Sequence, residues 1–148
     1  MPPWPVEPAA PADAPAIAAL FIASRAAAMP WLPVLHTEED TRAFFAGILA
    51  RQPVAVVRDG PRLLGFAAFR PGWLDHLYIA PDARRRGIGA ALLAAALAGQ
   101  REVNLWAFQR NAPARAFYAR HGFAEVERTD GAANEEREPD VRLQWCAT

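Results

Sequence analysis

Residues 77 to 92, LYIAPDARRRGIGAAL, constrain this chain most, because an apolar strand-like run ends there and an alanine- and leucine-rich helix begins. Three consecutive arginines, Arg84, Arg85 and Arg86, lie at the junction. The start of a helix carries unpaired N–H groups and a partial positive charge, so cations there are unfavourable unless an anion binds. Gly87 and Gly89 lack side chains that would keep a ligand from the backbone. The stretch therefore predicts an anion-binding turn between a strand and a helix.

The rest of the chain alternates between helical and strand-like patterns. Apolar spacing predicts helices over about 13–28, 87–98 and 112–121, and a further helix that Thr37 caps. Strands are predicted near Val6, in two runs joined at Asp59-Gly60, and over 73–80, 102–108, 123–129 and 140–145. The order β α α β β β α β α β β predicts an α/β fold, with a single mixed sheet and helices on its faces.

Composition narrows the class of protein. The chain has 148 residues, 53% of them apolar, which predicts one domain over 1–148. Sixteen basic residues balance sixteen acidic ones, so we expect no nucleic-acid or membrane partner. All the basic residues are arginine, which excludes a P-loop ATPase. The lone Cys146 and the lack of a signal-like start predict a cytoplasmic protein.

Two motifs carry a family resemblance. Leu77 to Pro81, followed by Arg84-x-x-Gly87-x-Gly89, resembles the acetyl-CoA signature of the GCN5-related N-acetyltransferase (GNAT) family, although many members have glycine where this chain has Arg85. The later segment NAPARAFYARHGFAE resembles a second family motif through Asn111, Ala114, Phe117, Tyr118, Gly122 and Phe123. The first strand and helix are also similar, so the resemblance spans nearly the whole chain. A dinucleotide-binding fold would need a third glycine and a later acidic residue.

The resemblance implies a GNAT-like acyltransferase fold, with a mostly antiparallel mixed sheet flanked by helices, and transfer of acetyl from acetyl-CoA to an amine. It places the pyrophosphate on N–H groups from about Arg85 to Ala90, and the thioester beside the backbone of strand 73–79. The predicted cofactor-binding residues are Leu77, Tyr78, Ile79, Arg84, Arg85, Arg86, Gly87, Ile88, Gly89, Ala90 and Asn111. Histidine and cysteine show no metal-ligand spacing, so no metal is expected.

Catalysis requires a base for the amine and an acid for the departing thiolate. Asp75 is the candidate base, and its alternative roles are a cap or an ion pair with an arginine. His76 on the same strand, and Glu135, Glu136 and Glu138 in the late loop, are further groups that could take the proton. Alternation along a strand predicts that Asp75 and His76 face opposite sides of the sheet. By its place in the motif, Tyr118 is the candidate acid, and the alternative is a packed helix aromatic.

The family accepts very different amines, so the variable segments must select the acceptor. The predicted acceptor-binding residues are Trp31, His76, Glu135 and Glu136, which suit a small amine with an apolar part. The acidic loop is alternatively a solvated hairpin tip. A protein acetyltransferase with an open groove and a non-catalytic acyl-CoA sensor stay open as functions. A homodimer through the late strands is a further expectation.

Overall fold

The computed structural model describes residues 4–148, and these form one seven-stranded sheet with four helices packed against it. The helices are α1 (Ala14–Ala28), α2 (Glu38–Arg51), α3 (Ile88–Leu97) and α4 (Ala112–Arg120). The strands are β1 (Glu7–Pro8), β2 (Val54–Asp59), β3 (Arg62–Arg70), β4 (Trp73–Ile79), β5 (Glu102–Phe108), β6 (Ala124–Thr129) and β7 (Asp140–Cys146). The mixed sheet flanked by helices confirms the predicted fold class, and the elements follow the predicted order.

Local sequence explains where the helices begin. The Thr37 hydroxyl accepts a hydrogen bond from the backbone N–H of Asp40 at 3.1 Å, and the Asp40 carboxylate accepts one from the Thr37 N–H at 3.4 Å. This reciprocal pair caps α2, as predicted. Asn111 caps α4 by accepting from the Ala114 N–H at 3.3 Å. Pro2 and Pro3 predict extended backbone at these positions, and both lie outside the described residues.

The strands are ordered β1-β2-β3-β4-β5-β7-β6, and neighbouring strands are antiparallel except for β4 and β5. Asp59 pairs with Arg62 across a tight turn, which confirms the hairpin predicted at Asp59-Gly60. Helix α3 connects β4 to β5, because parallel neighbours need a crossover connection. The turn at 80–87 begins this crossover, which brings β5 back parallel to β4.

Helices cover both faces of the sheet. A Cβ placed on Gly65 would lie 3.0 Å from the Leu92 side chain and 3.1 Å from that of Ile88, so this face of β3 meets α3. The next residue, Phe66, contacts the Phe45 ring of α2 with 5.3 Å between centroids. Successive strand residues point to opposite faces. The α3 helix and the α2 helix therefore lie on opposite sides, and the core fills both layers.

Membrane insertion, domain count, location and oligomeric state concern the protein as a whole. None of the helices within residues 4–148 has the length and apolar character needed to cross a bilayer. The single domain over 1–148, the cytoplasmic location and the homodimer stay predictions.

Candidate active site

The two parallel strands β4 and β5 separate almost as soon as they meet. Within residues 4–148 their ladder consists of one pair, Trp73 with Asn104, where the Asn104 N–H donates to the Gly72 carbonyl at 2.8 Å. Beyond this pair β5 bonds to β7 along its length. After this pair β4 and β5 share no further ladder within residues 4–148, and a cavity of about 500 Å³ is lined by residues of both strands.

The gap leaves backbone groups of β4 without a partner strand. The Ala80 N–H donates to the Leu64 carbonyl of β3 at 2.8 Å. Because successive N–H groups of a strand alternate in direction, those of Leu77 and Ile79 point away from β3 and into the gap. Unpaired backbone groups need partners. This edge can bind an extended chain of amides and can donate to a carbonyl oxygen.

The predicted anion-binding turn forms at the end of β4. The Ala91 N–H donates to the Gly87 carbonyl at 3.1 Å and makes the first helical bond of α3. The N–H groups of Ile88, Gly89 and Ala90 come before that bond and are free for a ligand. Gly87 has φ 83°, a conformation that favours glycine. The structure thus places these N–H groups together at the helix start.

The three arginines of this turn differ in backbone conformation. Their side chains are exposed, and Arg84 is extended with φ −68° and ψ 157°. Arg85 has φ 62°, which costs a residue with a side chain about 1–2 kcal/mol. The position where many relatives have glycine is therefore a position where glycine would be relaxed.

Tyr118 lies in the wall of the cavity on α4. Its ring packs against Phe117 and Phe123, with centroids 5.2 and 5.3 Å apart. Burial raises the pKa of the phenol, and the neighbouring Tyr78 raises it further. The hydroxyl therefore stays protonated over the physiological range and is a proton donor. Asn111 also lines the cavity, although its side-chain oxygen already caps α4.

Asp75 is the extra residue of a β-bulge. Ala68 pairs with His76 and Phe69 with Leu74, so Asp75 has no opposite partner on β3. Its carboxylate accepts hydrogen bonds from Arg70 at 2.9 and 3.1 Å and from Gln52 at 3.0 Å. Burial opposes ionisation, but these donors outweigh burial and lower the pKa of Asp75. The arginine pair is the alternative that the sequence left open.

His76 lies beside Asp75, but its ring is enclosed by aromatic side chains. The surrounding rings have centroids 5.3 to 6.3 Å away and belong to Phe21, Phe44, Phe45 and Tyr78. Burial lowers the pKa of His76 to about 4, Asp75 partly opposes this, and Arg25 adds to it. Neutral imidazole therefore dominates at neutral pH.

The prediction that Asp75 and His76 face opposite sides of the sheet is wrong. The Asp75 carboxylate bonds to Gln52, the residue directly after α2, and the His76 ring contacts Phe44 and Phe45 of the same helix. The bulge turns one residue out of register, so both side chains reach toward α2.

The acidic loop over 130–139 is held against the rest of the protein. Glu135 bonds to His36 at 2.9 Å, Glu136 lies 3.5 Å from Arg25, and Glu138 bonds to Arg110 at 3.0 Å. The Glu136 and Glu138 side chains are only 10% and 14% exposed. The loop is therefore packed against the protein and forms one wall of the cavity.

The predicted acceptor residues divide into two groups. His76 and Glu136 line the cavity, together with Asp75. Glu135 points outward to the exposed His36, and Trp31 packs edge-on against Phe108 with centroids 6.1 Å apart. Trp31 thus packs against Phe108, which is a residue of the cavity wall.

Several residues of the cavity wall were not predicted from the sequence. They come from α1, the segment after it, β5 and the late loop, and include Arg25, Met29, Trp106, Phe108 and Asn134. Arg25 reads as an ordinary basic residue in the last turn of a helix. Nothing local distinguishes it from the other arginines, because its neighbours at the site are distant in the chain.

Comparisons with known proteins agree with this geometry. A family model described as an acetyltransferase (GNAT) domain matches residues 50–125. Peptidyl-lysine N-acetyltransferase YiaC from Escherichia coli K12 is 30% identical over 116 residues, which are 78% of this chain and 80% of that protein.

Solved structures share the fold. A crystal structure titled as a GCN5-related N-acetyltransferase from Rhodopseudomonas palustris has a TM-score of 0.82 at 24% identity, covering 99% of this chain and 98% of that one. The PaiA N-acetyltransferase from Thermoplasma acidophilum, in complex with coenzyme A, has a TM-score of 0.75 at 18% identity, covering 97% and 98%. At these identities the likeness shows a common fold.

Proposed function

The chain belongs to the GNAT acetyltransferase family, as its two motifs predicted, and we propose that it transfers acetyl from acetyl-CoA to the primary amine of a small acceptor with an apolar part. One observation carries the proposal. The gap between β4 and β5 opens beside the start of α3 and leads into a cavity whose wall contains both Tyr118 and Glu136.

Acetyl-CoA occupies the gap in this proposal. Its pyrophosphate accepts hydrogen bonds from the N–H groups of Ile88, Gly89 and Ala90, and its pantetheine amides pair with the free edge of β4. The unpaired N–H groups at both places support this assignment. The exposed side chains of Arg84, Arg85 and Arg86 add positive charge around the pyrophosphate.

Transfer begins when the neutral amine attacks the thioester carbonyl carbon. The carbonyl oxygen becomes an oxyanion, which the Leu77 or Ile79 N–H stabilises by a hydrogen bond. The tetrahedral intermediate then collapses: the C–N bond is kept, the nitrogen releases its extra proton to water in the cavity, and the C–S bond breaks. The departing thiolate takes its proton from the Tyr118 hydroxyl, which is regenerated from solvent through the cavity.

The amine has a pKa of about 10 in water and must first lose a proton. Asp75 is the predicted base, but its carboxylate already accepts three hydrogen bonds and its pKa is lowered. Both facts favour the ion-pair alternative for Asp75. Glu136 lines the same cavity and has one contact, at 3.5 Å, with Arg25. We therefore assign Glu136 to bind the ammonium group and accept its proton.

The acceptor side of the cavity favours a small molecule. The late loop is held in the cavity wall by its contacts with His36, Arg25 and Arg110. Aromatic and thioether side chains line the wall, among them Met29, Trp106 and Phe108. These surfaces suit an apolar substituent next to the amine.

A second candidate acceptor is a lysine side chain of a protein. The relative YiaC is named a peptidyl-lysine N-acetyltransferase, and this observation favours that alternative. A lysine side chain would enter the same cavity with its amine foremost. The two candidates differ in the size of the molecule that must approach the late loop.

The test combines binding and turnover. Calorimetric titration with acetyl-CoA, beside a control titration with NAD, measures the donor site. Release of free CoA thiol is then followed with small primary amines and with lysine peptides. Binding of acetyl-CoA and faster release with the small amines would support the proposal. Faster release with the peptides would favour the second acceptor, and binding without turnover of any amine would favour a sensor.

Two variants test the proposed base. Glu136→Gln is expected to lower kcat/KM about 10- to 1,000-fold at neutral pH, because the amine loses its proton acceptor. Asp75→Asn is expected to lower thermal stability more than turnover, since it breaks the pair with Arg70. The opposite pattern would return the role of base to Asp75.

A further inference from the structure

Arg25 is a cavity residue that the proposed chemistry does not use. It lies in the last turn of α1, and its side chain is 23% exposed. Its Nε is buried and has no hydrogen-bond acceptor within residues 4–148. A buried donor that lacks a partner is costly, so such an atom in a cavity wall indicates a group that a ligand or water satisfies.

Packing holds the Arg25 guanidinium in place. Its central carbon is 4.8 Å from the centroid of the Phe21 ring and 5.9 Å from that of Phe108. Contacts with aromatic faces favour a cation and restrict its rotation. The charge is therefore positioned in the wall before any ligand arrives.

The chain itself uses little of the hydrogen-bonding capacity of Arg25. A guanidinium has five N–H donors. Within residues 4–148 its one hydrogen-bond contact is from Nη1 to the Glu136 Oε2 at 3.5 Å, which is at the limit for a hydrogen bond. The fork of donors that binds a carboxylate in two places is thus largely free.

Other acidic groups of the cavity already have partners of their own. Asp75 is bonded to Arg70 and Gln52, and Asp140 accepts from the Asn134 amide and the Thr129 hydroxyl. Among the described residues that line the cavity, Arg25 is the only arginine. An anionic group that enters the cavity therefore has one strong binding partner in the wall.

We propose that Arg25 binds a carboxylate of the acceptor, and that the acceptor is consequently a free amino acid with an apolar side chain. The inference rests on the proposed function of the site. Glu136 holds the amino group and Arg25 holds the carboxyl group, and these two side chains are neighbours as the two groups of an amino acid are. The apolar side chain lies against Met29, Trp106 and Phe108.

This assignment explains why a weak ion pair lies in the wall. In the free protein Arg25 and Glu136 partly neutralise each other across 3.5 Å. When a zwitterion enters, each side chain exchanges this long contact for a partner of opposite charge. Charge balance in the cavity is unchanged, so the exchange leaves no buried charge unpaired. A neutral or purely cationic amine would leave Arg25 without an acceptor.

The test uses matched acceptors with the full-length protein. Leucine, methionine and phenylalanine are each compared with their primary amide and with the amine that lacks the carboxyl group, and CoA thiol release is measured. A charge-assisted bidentate contact predicts that each free acid has a kcat/KM about 10- to 100-fold higher than its two counterparts without a carboxylate. Equal values, or no turnover of the acids while lysine peptides react, would overturn the assignment.

Variants separate recognition of the carboxylate from general damage. Arg25→Met is expected to raise the KM of the acids far more than the KM of the counterparts without a carboxylate, which removes the preference, and to leave the Kd for acetyl-CoA nearly unchanged. Arg42→Met, at an exposed position of α2, is the matched control and should keep the preference. An equal loss for the acids and for the counterparts without a carboxylate would assign Arg25 a structural role and overturn the proposal.

Failure of this inference is distinguishable from failure of the proposed function. If acetyl-CoA binds and simple amines or lysine peptides are acetylated while amino acids are not, the result supports acetyl transfer and overturns the carboxylate site at Arg25. If acetyl-CoA binds and no amine reacts, the result overturns both acetyl transfer and the carboxylate site. The panel with the unaltered protein decides this even if Arg25→Met does not fold.

Discussion

The indole Nε1–H of Trp4 donates a hydrogen bond to the backbone carbonyl of Arg86 at 2.6 Å, and the Arg86 guanidinium lies over the same indole ring, 5.0 Å from its centroid. The two residues are 82 positions apart in the chain. The Trp4 indole thus contacts both the main chain and the side chain of Arg86, and it holds the turn that precedes α3 in place.

Trp4→Phe keeps an aromatic ring and removes the donor to Arg86. Because the turn then loses one fixed contact, we expect the KM for acetyl-CoA to rise about three- to tenfold with kcat nearly unchanged, as for the loss of one hydrogen bond. Steady-state kinetics with acetyl-CoA as the varied substrate measures this. Trp145→Phe, on a residue that does not line the cavity, is the control. A fall in kcat alone would contradict a role in positioning the donor site.

Gly89→Trp should abolish acetyl-CoA binding and leave the fold largely intact. A Cβ at this position would already lie 3.4 Å from the Phe117 ring, so an indole must extend over the free N–H groups of α3. Calorimetry measures the binding and circular dichroism the fold. Ala94→Trp places the same side chain at an exposed site on the same helix and should bind normally. An unchanged affinity of Gly89→Trp for acetyl-CoA would contradict the donor-site assignment.

Arg85→Gly relaxes a strained backbone. The φ of 62° costs arginine about 1–2 kcal/mol, and the greater freedom of glycine in the unfolded chain offsets about 0.5–1 kcal/mol of the gain. We expect the free energy of unfolding to be unchanged or higher by up to about 1.5 kcal/mol. Acetyl-CoA affinity should fall less than tenfold, since main-chain donors bind the pyrophosphate and the exposed side chain is screened.

Denaturant unfolding and calorimetry of the Arg85→Gly variant test these two expectations. Arg84→Gly is a suitable comparison, because Arg84 has a negative φ and gains no relief of strain. If Arg85→Gly were clearly less stable than the unaltered protein, the strain argument would be wrong.

Tyr118→Phe keeps the ring and removes the proposed acid. Because the thiolate then leaves without a proton donor, we expect kcat to fall about 10- to 100-fold and the Kd for acetyl-CoA to change little. The raised pKa of Tyr118 keeps the phenol protonated, so turnover by the unaltered protein should show no loss of this acid up to pH 9. Kinetics that are the same in both proteins would leave Tyr118 as a packed aromatic, the alternative considered above.

His76 should make stability depend on pH. Its pKa in the folded state is about 4 against an ordinary 6.5, so between these values the unfolded chain binds the proton and the folded protein does not. The free energy of unfolding therefore has its full value, as far as His76 is concerned, above about pH 6.5. As pH falls toward 4, His76 lowers the free energy of unfolding by up to about 3 kcal/mol. Asp75, with its lowered pKa, loses its contribution only at lower pH.

Denaturant unfolding at pH 7, 6 and 5 tests the contribution of His76. His76→Phe should flatten the dependence in this range, because phenylalanine fits among the same rings and does not titrate. His36→Gln, at a side chain that is 54% exposed, should retain it. An equally steep dependence in His76→Phe would place its origin elsewhere.

The sequence located the turn before α3, but it did not predict how distant segments meet in the cavity wall. Gly87 and Gly89 follow a strand and begin a helix, and this local order was enough to locate the free N–H groups of α3. The acceptor side depends on Arg25, Phe108 and Glu136, which come from three separate segments. No spacing rule connects positions that only the folded sheet brings together.

By itself the sequence determined the order of the elements, their ends to within a residue or two, and the glycine turn that begins α3. These depend on interactions between residues a few positions apart, such as the cap of α2 by Thr37 and the left-handed Gly87 before α3. The tertiary structure decided three other features: the opening of β4 from β5 after Trp73, the bulge at Asp75, and the meeting of Arg25 with Glu136 across 111 positions. Strand separation, register and long-range ion pairs depend on how the whole sheet twists and packs, so no local pattern encodes them.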